Sequence, residues 1–280
     1  MRVAVCVSGI LRELHPSFES LNEHIVKPTN ADVFIHTWDY STVLDDKWGS
    51  ISPFKGKKRE RLAKKIAPVL TDCDVSPEIL RKSVETYFKP KTIVIDNHTQ
   101  CVKKGLRNDR KLDWYVEKIK GDVSHVHVPV INTVSAHYSK LQSHLMMEQY
   151  EKKLNFKYDI VIRYRTEILF CESVAPLIDN HNLCKNKNIV VIPDSWYGAI
   201  KISKKHRFND TFAIGGRDGM DIYNTTFKRL QDLSSKKRLN NHIIVKKDLD
   251  ENNVTIINVN FPFRCRDKSY HGYRGRLDDK

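Results

Sequence analysis

Long apolar runs are missing from this sequence: no stretch approaches the roughly 20 apolar residues that a membrane-spanning helix needs. The opening MRVAVCVSGILRE carries only a short apolar stretch, broken by Ser8 and Gly9, and no small-residue cleavage site follows it. It reads as a buried strand, so a soluble, cytoplasmic protein without signal peptide or transmembrane segment is expected. Paired cysteines are missing too. Cys6, Cys73, Cys101, Cys171, Cys184 and Cys265 are scattered without a C-x-x-C, which speaks against a zinc site or a disulfide framework and for a reducing compartment. Glycine and proline are sparse, 11 and 10 in 280 residues, and with 40% hydrophobic residues this excludes a disordered or low-complexity chain. Acids are outnumbered, 34 against 48 basic residues, a net charge of +14. That surplus favours phosphates, nucleic acid, anionic lipid or an anionic small molecule as partner. The N-x-T sequons at Asn97, Asn209, Asn224 and Asn253 mean nothing without secretion.

What is present alternates in kind. RVAVCV is apolar after Arg2, as a central parallel strand covered on both faces would be. A helix over 17–26 and the strand ADVFIHT (31–37) complete a βαβ unit. Ser76, Pro77 and Glu78 supply an N-cap and first turn for a helix through Phe88, which leads into the strand KTIVID (91–96). Val134, Tyr138, Leu141 and Leu145 mark one apolar face of a helix over 133–153. YDIVIRYRTEILF (158–170), NIVVIPDS (188–195) and VTIINV (254–259) read as strands, and 218–233 as a helix. Residues 97–129 and 261–280 read as basic, loop-like segments, the first with a short helix around Trp114. The alternation predicts an α/β fold, a mostly parallel sheet flanked by helices that becomes mixed in the C-terminal half. No repeat or linker divides the chain, so a single domain over 1–280 is expected, with halves meeting at about 165/166.

Four groups of residues carry candidate chemistry. Strand alternation puts Arg163, Arg165 and Glu167 on one face and Tyr164 and Thr166 on the other. They follow Ile160, Val161 and Ile162, at the carboxyl end of a strand where open α/β sheets bind ligands. Arginine forks suit a diphosphate, and Glu167 suits a hard divalent cation. The alternative is an internal Arg–Glu network. Ser8, Gly9 and Arg12 follow the first strand, where glycine permits close approach of a ligand to the backbone. SGILRE has neither the glycines of a dinucleotide fingerprint nor a phosphate-loop GKT/GKS, so a dehydrogenase or P-loop kinase is disfavoured. His36, Thr37, Trp38 and Asp39 end the second strand, as a base-stacking and ribose-binding patch or as a buried core closure. Asp210, after the basic run KISKKHR, suits a general base or a turn cap. His125 and His127 share strand spacing but lack a third metal ligand, and read as surface residues.

CVSGILRE, ADVFIHTW, YDIVIRYRTE and NDTFAIGG, in that order, resemble glycosyltransferases of large DNA viruses, the chlorovirus capsid-glycan enzymes among them, and of bacterial surface-polysaccharide clusters. The resemblance implies a Rossmann-like GT-A fold with a nucleotide-sugar-binding half and an acceptor-binding half. YRTE stands where that class carries its acidic metal motif, with Glu167 as the last acid and Arg165 in place of the earlier one. It implies a UDP-sugar donor, UDP-xylose first and a UDP-hexose next, and a glycan or glycoprotein hydroxyl as acceptor. Arg163 and Arg165 would hold the diphosphate, and Glu167 a Mg²⁺ or Mn²⁺ ion. Ser8, Gly9, Arg12, His36 and Trp38 would hold the nucleotide. Asp210 would be the base of an inverting course; a retaining course would not need one. For a viral protein the compartment would be the host cytoplasm.

Other classes read less well. A nucleic-acid-binding protein is motivated by the net charge and by KGKKRERLAKK (55–65), with seven basic residues and one acid. The basic residues are not interleaved with aromatics, however, and no DNA- or RNA-reading motif occurs, so no specific nucleic-acid partner is expected. A sulfo- or methyltransferase would need the phosphate loop or glycine-rich turn that SGILRE lacks. The excess charge is assigned to an acidic glycan or to peripheral contact with a membrane surface.

Overall fold

In the computed structural model, residues 1–11, 14–39, 77–98, 101, 130–166, 168–194, 208–236, 241–261 and 263–265 are described. The first half of the chain supplies β1 (Val3–Ser8), β2 (Asp32–Trp38), β3 (Thr92–Asp96) and β4 (Ile160–Tyr164), and the second β6 (Ile189–Pro193), β7 (Ala213–Gly216) and β8 (Thr255–Val259). They form one seven-stranded sheet in the order β3-β2-β1-β4-β7-β6-β8. Pairings among β1 to β4 are parallel, as is β6 with β8; only β7 runs against its neighbours, antiparallel to β4 and β6. The expected class therefore holds: an α/β sheet, mostly parallel, mixed in its second half. The hydrophobic run of β1 is explained by its central place, all six residues buried between two layers.

Helices pack on both faces of the sheet. α1 (Leu14–Leu21) runs into a π-helical turn (Asn22–Val26) and a last turn at Lys27–Thr29, which Asn30 ends in left-handed conformation (φ 50°). α2 (Pro77–Phe88) precedes β3, and α3 (Val130–Leu154) spans 25 residues across β1 and β2. α4 (Ala175–Asn180) follows β5 (Ile168–Phe170). The expected helix over 218–233 is α5 (Arg217–Thr225), a 3₁₀ turn (Thr226–Arg229) and α6 (Leu230–Lys236). α7 (Asn241–Glu251), absent from the sequence reading, follows it and buries Ile244, Val245 and Leu249. Among the described residues no helix is long and apolar enough to cross a membrane.

Two strand expectations change. YDIVIRYRTEILF is not one strand: β4 stops at Tyr164, the chain turns with Ile168 N–H donating to the Arg165 carbonyl (3.1 Å), and β5 leaves the main sheet. Its partner is β9 (Phe263–Cys265), from the tail read as loop. The break has local causes. The Tyr164 hydroxyl donates to the Ile168 carbonyl (2.6 Å), and the Thr166 hydroxyl donates to the Ile10 carbonyl (3.2 Å), fastening the turn to the segment after β1. The basic run 55–65, the helix around Trp114 and His125/His127 lie outside the described residues.

Alternation sorts the sheet into two unlike faces. Val3, Val5, Val7, Val33, Ile35, Ile160, Ile162 and Tyr164 join one core cluster with Phe18, Leu21, Val84 and Phe88 of α1 and α2. Ala4, Cys6, Phe34 and Val161 join the other, with Met146 and Met147 of α3, Met220 and Tyr223 of α5, and Val245 and Leu249 of α7. At Gly215 and Gly216 of β7 an added Cβ would collide with the Ile189 carbonyl and the Lys187 backbone, so only glycine lets the 187–189 segment come this close.

Candidate active site at the carboxyl edge of the sheet

β1, β2 and β4 end side by side, and near that edge the α3 face carries the polar side chains Ser8, His36 and Arg163, with Trp38 ending β2 beyond them. α3 crosses above them. Its expected apolar stripe is only part of what it buries: Val134 and Leu141 are buried, Tyr138 and Leu145 half-buried, and Ser135, His137, Ser139, Lys140, Ser143, His144 and Glu151 are also buried. The helix turns a polar side inward because a polar site lies beneath it. Buried groups of this kind must find partners or cost roughly 1–3 kcal/mol each.

The turn after β1 is one half of the site. Gly9 adopts φ +102°, a conformation open to glycine, and its N–H donates to the Ser139 hydroxyl oxygen (2.7 Å). Ser139 donates to the His36 carbonyl (3.1 Å) and lies 2.8 Å from His36 Nδ1, while His36 Nε2 lies 3.0 Å from Asp96. This bond to His36 holds the Asp96 carboxyl below its usual range, against partial burial. Ser139, His36 and Asp96 have the composition of a hydrolase triad, but Ser139 is fully buried and its proton and a lone pair are already committed. The three residues instead fasten β1, β2 and β3 to α3. Beside them Trp38, 2% exposed, stacks on half-buried Tyr138 (centroids 5.7 Å apart, interplanar angle 23°) and meets His98 edge-on (4.8 Å). Trp38 thus closes the core, and Tyr138 is the ring nearer solvent. The Ser8 hydroxyl is buried with no hydrogen-bond partner.

The other half gathers charge. Arg163 is 4% exposed, and its Nη1 donates to the carbonyls of Asp210 (2.6 Å) and Thr211. It ties the 209–211 segment, which precedes β7, to β4. Asp210 is also buried, its Oδ1 3.1 Å from His242 Nδ1 at the start of α7. Burial opposes ionisation of Asp210, but His242, Arg163, Arg165 and Lys140 together hold its carboxyl well below the usual range. Asn209 accepts from the Thr211 N–H and hydroxyl (3.0 and 2.6 Å), and the Tyr223 hydroxyl donates to the Asp210 carbonyl (3.2 Å). Lys140 on α3 lies over the Tyr223 ring, 4.4 Å from its centroid. Burial and then the Arg163 charge push its ammonium down to about 7. One turn earlier His137 is buried with neither ring nitrogen hydrogen-bonded; burial, then Lys140, hold it well below the ordinary imidazole range.

Arg163, Arg165 and Asp210 are therefore brought together, as are Ser8, Gly9 and His36; Arg12 and Glu167 lie outside the described residues. Lys140, His137, Ser139, Asp96, Tyr223 and His242 were missed. The available signal was on α3, where Ser135, Ser139 and Ser143 recur every fourth residue with Lys140 and His144 alongside. An apolar-stripe search passes over it.

A divalent cation finds a poor donor set here. Among the described residues, the charges acting on Asp210 are His242, Arg163, Arg165 and Lys140, with no second carboxylate among them. Elsewhere His144, Glu148 and Asp221 offer ligand atoms within 4.8 Å of one another. The Arg217 guanidinium, however, bonds Asp221, lies 3.7 Å from Glu148 and is held by Glu151 through two bonds of 3.1 and 2.9 Å. Arginine already supplies the positive charge, and the cluster joins α3 to α5 as an ion-pair network.

An open α/β sheet with a polar site at its carboxyl edge is what the geometry defines. No family profile matches the chain, and no curated protein matches it in sequence. Among solved structures it is similar to mouse xyloside xylosyltransferase 1 in its apo form, with TM-score 0.43 and 8% identity over 92% of this chain and 84% of that one. It is also similar to the galactosyltransferase LgtC in complex with donor and acceptor sugar analogues, with TM-score 0.37 and 8% identity over 92% of this chain and 73% of that one. Scores of this size describe a loose likeness, and no residue role is carried across.

Proposed function

We propose that the chain is a nucleotide-sugar-dependent glycosyltransferase that passes one sugar from a UDP-sugar to a glycan hydroxyl. The observation that carries this reading is the convergence of Lys140, Arg163 and Arg165 on Asp210 beside the Gly9 turn, at the carboxyl edge of parallel strands. Buried Lys140 and Arg163 with half-buried Arg165 suit a diphosphate, and the motifs CVSGILRE, ADVFIHTW, YDIVIRYRTE and NDTFAIGG support the same class. The Gly9 turn with Ser8 and Arg12 receives the nucleotide, and Tyr138, backed by Trp38 and His36, lines the nucleoside side. Arg165 faces the diphosphate, while Arg163 acts by holding the Asp210 segment. In transfer, the bond from the anomeric carbon to the β-phosphate oxygen breaks, leaving its electron pair on that oxygen. The acceptor oxygen bonds to the anomeric carbon, and for an inverting course its proton passes to the ionised Asp210 carboxylate. UDP-xylose is the first donor to test and UDP-hexoses the next; a viral or bacterial surface glycan is the proposed acceptor. The test is a nucleotide-sugar panel with the purified chain, following donor hydrolysis and transfer. Turnover of one UDP-sugar is expected. Failure of every nucleotide sugar to bind or react overturns the reading.

A further inference from the structure

Lys140 is 3% exposed and makes no salt bridge with any described residue; its ammonium lies over the Tyr223 ring. A buried cation without an anion is costly. Its surroundings add to the imbalance. Arg163 and Arg165 add positive charge around Asp210, which Lys140 and His242 also engage. Asp248, the other acid that acts on Lys140, is held by Arg229 through bonds of 2.7 and 2.8 Å. Beside Lys140, the buried His137 leaves two ring nitrogens without partners. A folded chain that buries the Lys140 side chain without a salt bridge, beside an unsatisfied His137, has a place for one anionic ligand group.

We propose that Lys140, with Arg165, supplies the charge opposite the ligand's diphosphate, so that donor binding needs no divalent cation. This rests on the nucleotide-sugar reading and goes beyond it. Lys140 donates a hydrogen bond to a phosphate oxygen and transfers no proton. The lowered pKa of its ammonium agrees with a cation that lacks its counter-ion until the ligand arrives. The described donor set supports the same view, being cationic around Asp210 where a metal site would need a second carboxylate.

The experiment is calorimetric titration of the full chain with UDP, and separately with inorganic pyrophosphate, in EDTA and then in Mn²⁺, for wild type and Lys140→Met. Wild type is expected to bind UDP in EDTA within about threefold of its affinity in Mn²⁺. Lys140→Met is expected to lose about tenfold to a hundredfold in affinity, while its ligand-free unfolding temperature stays level or rises because a buried unpaired charge is gone. Lys140→Gln gives the same readout if methionine packs poorly. Undiminished UDP binding by both variants, or binding that appears only with Mn²⁺, overturns the proposal. Pyrophosphate binding without UDP binding keeps the charge assignment and sinks the nucleotide reading; binding of neither sinks both.

Discussion

On one face of β4, Ile160, Ile162 and Tyr164 enter an apolar cluster with Phe18, Leu21 and Phe88; on the other, Arg163 lies under α3 among Lys140, His137 and Asp210. Both faces are equally dry. Ile162 and His36 are each 0% exposed. The first is held by burial, worth roughly 25 cal/mol per Å² of apolar surface. The second is held by hydrogen bonds and ion pairs that must be complete to break even. A sheet can accept the second arrangement on one face when the first secures the other. The unfinished side, with Ser8 and His137 unpartnered and Lys140 unpaired, is where a ligand belongs.

Substitutions can break or sharpen this contrast. The largest loss is expected on the apolar face: Ile162→Ala should cost about 2–5 kcal/mol of unfolding free energy in denaturant titration, leaving the site chemistry intact in the folded fraction. Glu151→Ala removes the bidentate partner of buried Arg217, which keeps Asp221, and should cost about 2–3 kcal/mol by the same measurement. Arg163→Ala strands the carbonyls of Asp210 and Thr211 and should cost about 2–3 kcal/mol. Arg163→Lys, a point donor in place of a fork, should recover less than half. Near-wild-type stability for Arg163→Ala would mean that Arg163 serves only a ligand. Ser139→Ala, which frees Gly9 and His36, should cost about 1–2 kcal/mol.

A smaller effect is one of pH. The folded-state pKa of Lys140 is depressed to about 7 from 10.5, so between those values the unfolded chain binds more protons and stability rises with pH. Wild type should gain a few degrees in unfolding temperature relative to Lys140→Met between pH 7 and 9, without ligand. Parallel pH profiles for the two proteins would remove the charge argument.

The fold was largely legible because apolar strand runs and helix caps are local signals. β1, β2, β3 and β6 stand where hydrophobic runs put them, but strand alternation reaches Arg163 and not Arg165, which lies past the end of β4. The end of β4 was not legible, because the turn at Arg165 depends on Tyr164 and Thr166 meeting Ile168 and Ile10, a contact between distant segments. Nor was the inward polar side of α3. Lys140 and His137 look like solvent-facing residues until the helix is laid over a polar strand edge. Arg163 illustrates the same limit: its position was readable, but its engagement with the 210 and 211 carbonyls was not.

Hydrogen exchange of the full chain with and without UDP tests the two-face account most directly. Added UDP should slow exchange in segments 7–11, 134–142 and 208–212, and leave 18–25 and 77–88 on the apolar face unchanged. Protection confined to those apolar-face segments, or none anywhere at saturating UDP, would contradict it.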